Sequence, residues 1–437
     1  MEQNLKNELN NIINLFKVKK FSEAYNKSKI FLKTNNSEFF LNIHGMICIN
    51  LDLFEESVSA FKRAITIKNE FPEAYNNLGV AYSHLGNPEL AIKNFLKSIS
   101  LKKDYSSAYN NLGSIYDDTG NFEEAIENYS LALKYNPNNV EAKTNLIEIL
   151  TFYRSNHNYD NEIVYLNSEI FNFNLNLNNK LHINNLSLCF NNAINKIKKL
   201  EQLNFFPKTQ IYRKNTIDLN CKRHHKVFNE AKVIPEFCFG CYKIQIEPKN
   251  IIELIKLHFI FDEIKLDKNN TRKCFVELRP EVSGLYKGLI YCSGFEEANE
   301  IVNKIKPFLQ KKIDNKILIK IKRGCSEFYS EFPNYNNIKQ NDINFMNFNS
   351  EWKKKEIYID QIISKGSKKK RRILKKTMQG STINDFLIMN NWFNYAKLIN
   401  DNTYKNISEN FIESFFIKNI MSNQLALRQD YFRNQKN

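Results

Sequence analysis

The stretches FPEAYNNLGVAYSHLGNPELAIKNFLKSISLKKD (Phe71 to Asp104) and YSSAYNNLGSIYDDTGNFEEAIENYSLALKYNPN (Tyr105 to Asn138) align end to end without a gap. The period is 34 residues, and Tyr75, Leu78, Gly79, Tyr82, Gly86, Ala91 and Phe95 fall on Tyr109, Leu112, Gly113, Tyr116, Gly120, Ala125 and Tyr129. Apolar positions at helical spacing on both sides of Gly86 and Gly120 read as helix, tight turn and second helix. One such pair cannot bury its apolar face alone, so copies must stack. Gly79, Gly113, Ala91 and Ala125 let the paired helices approach, while Tyr82, Phe95, Tyr116 and Tyr129 fill the space between successive pairs.

This period and pattern, completed by Ala132 and Pro137, resemble the tetratricopeptide (TPR) repeat. The resemblance implies an all-α right-handed superhelix whose concave face binds a protein or an extended peptide. Counting back by 34 from Gly79 reaches Gly45, so residues 37–70 read as a degenerate repeat with Phe61 and Ala64 in the packing positions. Residues 4–36 keep the second-helix signature KKFSEAYNKSKIFL around Ala24, one residue out of phase, and read as a capping repeat. Residues 139–152 supply a single capping helix with Leu146 and Leu150 on its apolar stripe, so the array is expected to end near residue 152. Asn77, Asn111 and Asn145 recur at spacings of 34 just before the Leu-Gly position. They predict a ladder of amides, and the AYNNLG motif resembles the repeats of O-GlcNAc transferases, in which one asparagine per repeat holds a peptide backbone. An amide can do so because its one acceptor and two donors match any peptide unit. The resemblance stops with the repeats, since no sugar-transfer residues are recognisable downstream.

At 437 residues the chain is too long for one core, and its formal charge is +16. The first 150 residues hold 16 Lys and Arg against 18 Asp and Glu, a net −2, which leaves +18 for the rest. That asymmetry predicts an anionic partner for the C-terminal two-thirds. The N-terminus MEQNLKNELNNIINLFKVKK lacks a continuous apolar core, and Ile251 to Ile264 is too short and too polar to span a bilayer. The expectation is a cytoplasmic protein with reduced thiols and no membrane partner. Of eight cysteines, seven lie between Cys189 and Cys325, a clustering that suggests metal or thiol chemistry.

Residues 153–208 are Asn-rich and read as a helical connector, with Leu186, Phe190, Ile194, Ile197 and Leu200 on the buried stripe. From Tyr242 to Arg323 the signals run strand, helix, strand, strand, helix, strand: YKIQIEP, NIIELIKLHFIFDEIKL, RKCFVELRP, YKGLIYCSG, FEEANEIVNKIKPFLQKK, KILIKIKRG. This order predicts a ferredoxin-like βαββαβ sandwich over residues 209–326, giving an α + (α+β) chain. Folding the second and third strands about Ser283 pairs Cys274 with Cys292, Val276 with Ile290 and Leu278 with Gly288, facing the helices with Ile244, Ile246, Ile317, Ile319 and Ile321. The opposite face collects Lys243, Gln245, Phe275, Glu277, Arg279, Lys287, Leu289, Tyr291, Lys320 and Lys322. KGLIYC (Lys287 to Cys292) resembles the third-strand motif of RNA-recognition domains, although Leu289 replaces one aromatic and Lys243 and Gln245 replace the first-strand aromatic. The resemblance implies RNA or DNA binding through Arg279, Lys287, Tyr291, Lys320 and Lys322.

Before the first strand lies LNCKRHHKVFNEAKVIPEFCFGCYK (Leu219 to Lys243). On a helix Cys221 shares a face with His224 or His225, and Cys238 and Cys241 form a CxxC knuckle turning at Gly240. The spacing predicts a structural Zn2+ held by Cys221, Cys238, Cys241 and one of His224 and His225. His224, His225, Glu277, Arg279, Arg323, Cys325 and Glu327 supply the residue types of a metal-dependent or thiol-based active site, without a spacing that names a reaction. Residues 327–437 read as a polar loop, a basic run and helices that pack back on the sheet. Within that run Lys368, Lys369, Lys370, Arg371 and Arg372 are the strongest candidate phosphate-binding segment.

Overall fold

The computed structural model describes residues 2–157, 159–176, 179, 181–200, 208–215, 217, 219–279, 282–329, 331–338, 344–365, 375–413 and 415–434. Two compact units are present, one of Met1–Ile149 with Asp360–Ile373, the other of Leu150–Ile359 with Leu374–Asn437. Among the described residues no helix is long and apolar enough to cross a membrane.

The first unit is a run of antiparallel helix pairs: α1 (Glu2–Lys17) with α2 (Phe21–Phe31), α3 (Glu38–Asn50) with α4 (Phe54–Ile67), α5 (Pro72–His84) with α6 (Pro88–Leu101), α7 (Ser106–Thr119) with α8 (Phe122–Tyr135), and a last helix α9 (Val140–Ile149). Local chemistry sets the ends. Pro72 and Pro88 occupy first-turn positions where no amide hydrogen is needed. Gly86 (φ 70°) and Gly120 (φ 87°) take the left-handed conformation that turns each pair, and Asp52 (φ 59°) and Lys19 (φ 61°) take it in the two earlier pairs. Lys19 is the one-residue phase slip of the first pair. The glycines of the first helices are required by close approach, since a Cβ at Gly45, Gly79 or Gly113 would lie 2.5, 2.6 or 2.8 Å from the ring of Phe61, Phe95 or Tyr129 in the second helix of the same pair. Those rings also reach onward, Phe61 and Phe95 sharing one core with Leu78, Tyr82, Leu112 and Ile115. Successive first helices α3, α5, α7 and α9 pack side by side and line one surface of the array.

The second unit begins with α10 (Glu162–Asn176) and α11 (Ile183–Ile197), followed by β1 (Gln210–Arg213), α12 (Cys221–Ala231), α13 (Glu236–Phe239), β2 (Tyr242–Glu247), α14 (Ile251–Glu263), β3 (Arg272–Val276), β4 (Tyr286–Cys292), α15 (Phe295–Lys312) and β5 (Leu318–Arg323). α16 (Trp352–Lys365), α17 (Ile383–Leu398) and α18 (Phe415–Asn434) complete the chain. The sheet order is β1-β3-β4-β2-β5, antiparallel throughout. Edge strand β1 is an addition to the expected four, and its four residues carry too little alternation to be read as a strand.

The β3–β4 register corrects the expectation. Cys274 pairs with Gly288 and Val276 with Tyr286, so the connection centres two residues earlier than Ser283. Its closing bond runs from Glu277 N to Leu285 O, and Gly284 (φ 81°) supplies the left-handed turn. Because the slip between the strands is even, the faces are preserved. α14 and α15 cover the face of Ile244, Ile246, Cys274, Gly288 and Ile290. Gly288 admits α14 closely, for a Cβ there would meet Leu257 at 2.4 Å. α11 buries the predicted stripe and packs on α17, with Phe190 stacked on Phe393 at 4.1 Å. α17 opens with a Thr382–Asp385 capping box, and its Trp392 Nε1 donates to Thr209 O beside β1 at 2.8 Å.

Candidate functional sites in the two units

In the repeat array the asparagines form bonds between pairs. Asn77 Nδ2 donates to Asn42 Oδ1 at 3.0 Å, Asn111 Nδ2 to Asn76 Oδ1 at 2.9 Å, and Asn145 Nδ2 to Asn110 Oδ1 at 3.1 Å. Asn76 Nδ2 reaches Asn77 Oδ1 at 3.3 Å, so amides connect α3, α5 and α7. Asn42, Asn76 and Asn110 are buried, whereas Asn77, Asn111 and Asn145 are half-buried. Each half-buried amide spends one N–H on its neighbour and keeps a second donor.

In the second unit the residues of interest meet on the sheet face opposite α14 and α15. Lys243, Lys273, Phe275, Leu289 and Tyr291 point there from β2, β3 and β4, joined by Gln210 and Tyr212 of β1. Leu219 and Cys241 pack on Phe275, Leu289 and Tyr291. α12 is fixed nearby by Phe228, which joins Ile234, Cys238, Phe239, Phe328 and Tyr335 in one apolar cluster, and by an Arg223–Glu356 pair at 2.6 Å. β5 ends at Gly324 (φ 55°), whose N–H donates to Cys241 O at 2.7 Å, and the chain turns into a 3-10 segment, Ser326–Phe328. That turn delivers Cys325.

The Cys325 Sγ lies 3.1 Å from Lys243 Nζ, and ligand atoms of His225, Cys325 and Glu327 all lie within 4.8 Å of one another. Burial raises the Cys325 thiol, but the Lys243 ammonium and the His225 imidazole outweigh it and bring the thiol down to about 7. His225 is raised in turn by Cys325, and Lys243 is raised despite burial because Cys325 and Tyr291 lie beside it. Lys273 is lowered to about 8 by burial and by Lys243; its Nζ donates to Gln210 Oε1 at 3.0 Å and sits 4.5 Å from the Phe275 ring centre. Arg279 holds Glu277 through Nε and Nη2, both at 2.9 Å, and reaches Glu327 Oε1 through Nη1 at 2.8 Å. Chemically this is a thiolate with an imidazole and an ammonium at its side, the ingredients of a nucleophile that works near neutral pH.

The expected zinc ligands divide among different surroundings. His224 is buried and stacks on Phe237 at 5.1 Å, whereas His225, one residue on, is the one that faces Cys325. Cys238 lies in the apolar cluster, where burial pushes its thiol up, and burial likewise pushes Cys241 up to about 11. Among the described residues the close His/Cys/carboxylate groups are His225–Cys325–Glu327 and, in the repeats, His44–Cys48–Glu56; neither contains Cys221, Cys238 or Cys241. The periodicity of α12 put two histidines in contention, and they lie in different surroundings, His224 on Phe237 and His225 beside Cys325.

The residues expected to bind nucleic acid lie in varied surroundings on the sheet face. Tyr291 is 8 % exposed and Lys287 2 %, the latter 3.7 Å from Glu277. Arg279 spends its guanidinium on Glu277 and Glu327, and Lys320 pairs with Glu247 at 3.4 Å. Lys322 is half-buried, and burial lowers it. Alternation gives the sign of a face but not what covers it, here Leu219, Cys241 and the carboxylates of the sheet itself. Lys368, Lys369, Lys370, Arg371 and Arg372 lie outside the described residues. Lys243, which tunes the thiol, was legible only as a member of a basic face.

A tetratricopeptide repeat family model matches residues 72–105 and 106–139, and a TPR repeat model matches residues 54–86. No curated protein matches the chain. Among solved structures, the crystal structure of MamA is similar at 25 % identity over 31 % of this chain and 79 % of that one, with a TM-score of 0.29. The first TPR of Spaghetti (RPAP3), solved with the HSP90 peptide SRMEEVD, is similar at 23 % identity over 26 % of this chain and 89 % of that one, TM-score 0.25. The Sgt2 TPR domain from Aspergillus fumigatus is similar at 21 % identity over 26 % and 76 %, TM-score 0.25.

Proposed function

With residues 54–139 being tetratricopeptide repeats, we propose that the first unit is a scaffold that captures an extended peptide through Asn77, Asn111 and Asn145. The amide-to-amide hydrogen bonds Asn77–Asn42, Asn111–Asn76 and Asn145–Asn110 carry this reading, because they hold three amides at one repeat spacing with donors to spare. A peptide backbone offers carbonyls that such donors satisfy whatever its side chains. The test is capture of binding partners by full-length protein and by the triple Asn→Ala variant, with circular dichroism on both. Loss of capture with the helix signal intact supports the reading; equal capture removes it.

For the second unit we propose a ferredoxin-like core, supported by the β3-β4-β2-β5 order and its two helices on one face, extended by β1 and by a thiol site. The 3.1 Å Lys243–Cys325 contact supports thiol-based chemistry at Cys325, a residue outside the zinc set read from the sequence, because the ammonium answers the charge of a thiolate. The Cys325 thiolate, held by Lys243, would form a bond to an electrophilic carbon or sulfur as that atom's bond to its leaving group breaks, with His225 handing its proton to the leaving group. Iodoacetamide labelling of the full chain at pH 7, followed by peptide mapping, should mark Cys325 ahead of Cys221 and Cys241. Uniform labelling, or metal found at one equivalent by elemental analysis and lost in Cys325→Ser, would replace the thiol reading. Salt-dependent retention of RNA remains the corresponding test for Lys368 to Arg372.

A further inference from the structure

On the other face of the same sheet, Arg213 of β1 and Arg272 of β3 are register partners with opposite circumstances. Arg213 is fully engaged: its Nε donates to Asp262 Oδ1 at 2.6 Å, its Nη1 and Nη2 to Asp385 at 3.2 Å each, and Nη2 also to Gly380 O at 3.2 Å. Both carboxylates are also held by backbone, Asp262 accepting from Gly380 N at 2.9 Å and Asp385 from Thr382 N at 3.0 Å. Arg272 is 5 % exposed and has one side-chain bond among the described residues, Nη2 to Asn269 Oδ1 at 3.3 Å; its Nε and Nη1 find no hydrogen-bond partner among them. A guanidinium does not shed its proton at physiological pH, so a buried one requires an acceptor. Burial and the neighbouring Arg213 push Arg272 down to about 10, which expresses the same deficit.

Arg272 lines a cavity of about 690 Å³ whose wall also carries Lys214, Lys265 and Lys376, against the carboxylates Asp262 and Glu263. Asp262 is committed to Arg213, and Glu263 has an interaction of its own. Lys265 and Lys376 are exposed at the rim. The volume exceeds that of one inorganic oxyanion several-fold and suits a small organic ligand. We propose that this cavity binds a phosphorylated small molecule, with Arg272 taking the phosphate at the buried end and Lys265 and Lys376 completing its charge at the rim. Arginine suits the buried position because its several donors spread over a planar group match phosphate oxygens. The site lies on the face opposite Cys325 and stands without the thiol or scaffold readings.

The experiment is titration calorimetry with thermal denaturation of the full chain at constant ionic strength, using inorganic phosphate, pyrophosphate, AMP and glucose 6-phosphate as probes, and citrate to represent carboxylates. At least one phosphorylated probe should bind saturably and raise the melting temperature. Arg272→Met should weaken that binding by about tenfold or more, the order expected for loss of charge-assisted hydrogen bonds. The same variant without ligand should melt no lower than the native chain, because it removes an uncompensated buried charge. Should Arg272→Met fail to fold, the Lys265→Ala, Lys376→Ala double variant decides, with an expected loss of about threefold or more by removal of two rim charges. Absence of saturable binding by every phosphorylated probe, citrate binding in their place, or unchanged affinity in the variants overturns the proposal.

Discussion

The two units satisfy their buried polar groups at very different ranges along the chain. In the repeats an amide finds its partner 35 residues away, and the glycine that admits an aromatic ring sits 16 residues from it. In the second unit Arg213 binds Asp262 49 residues on and Asp385 172 residues on, and Cys325 meets Lys243 82 residues back. A contact made between neighbours can be replaced by a neighbour, whereas one that joins distant elements has no substitute. Sensitivity to substitution should therefore be shallow and repeated in the first unit, and deep and local in the second.

The largest expected effect tests the deep side. Arg213→Ala leaves Asp262 and Asp385 buried without their cation and should cost about 3–5 kcal/mol, read as an early unfolding step in chemical denaturation. A cost under about 1 kcal/mol would place the second unit with the first in tolerance. Next comes Gly79→Ala, whose Cβ lands 2.6 Å from Phe95 and should cost about 1–3 kcal/mol. Gly79→Ala combined with Phe95→Leu should cost less than the sum of the two single changes, and simple additivity would mean the ring and the glycine are not coupled.

The thiol gives a third, about tenfold, effect. Lys243→Met removes the nearest cation from Cys325, so iodoacetamide labelling at pH 7 should fall by about tenfold and its pH midpoint should move up from about 7. The folded thiol lies below its ordinary value of 9.0. Its contribution to stability is therefore present above about pH 9 and is lost as pH falls through about 7. Labelling that is indifferent to Lys243 would leave the thiol as an ordinary half-buried cysteine. The smallest effect belongs to the ladder: Asn111→Ala should cost about 0.5–1.5 kcal/mol, the worth of one hydrogen bond, and should couple to Asn76→Ala in a double-mutant cycle.

The same difference in range explains what could be read beforehand. The 34-residue period placed Gly79 and Asn111 because stacked copies repeat their environments, and even the phase slip near Ala24 reappears as Lys19 in a left-handed turn. In the second unit period-two alternation placed Lys243 and Tyr291 on one face. It could not say that Leu219 and Cys241 cover that face, nor that Cys325 arrives from beyond β5 to meet Lys243. The slipped Cys274 pairing arose from the same limit, since hairpin geometry at Gly284 and the Glu277–Leu285 bond, not the strand residues, fixes the register. His224 and His225 both share a helical face with Cys221, and they differ in surroundings, His224 against Phe237 and His225 against Phe328 and Cys325.

The span from Arg213 to Asp385 also has a meaning in time. A ribosome adding about 5–20 residues per second needs roughly 10–30 s to cross those 172 residues. A 34-residue helix pair is complete in roughly 2–7 s. Each repeat can thus close while the next is being made, but for tens of seconds the nascent second unit holds an arginine with one of its two acids still unsynthesised, and its β1 edge waits for α17. During that interval the second unit carries a buried-charge deficit that the helix pairs of the repeats do not share.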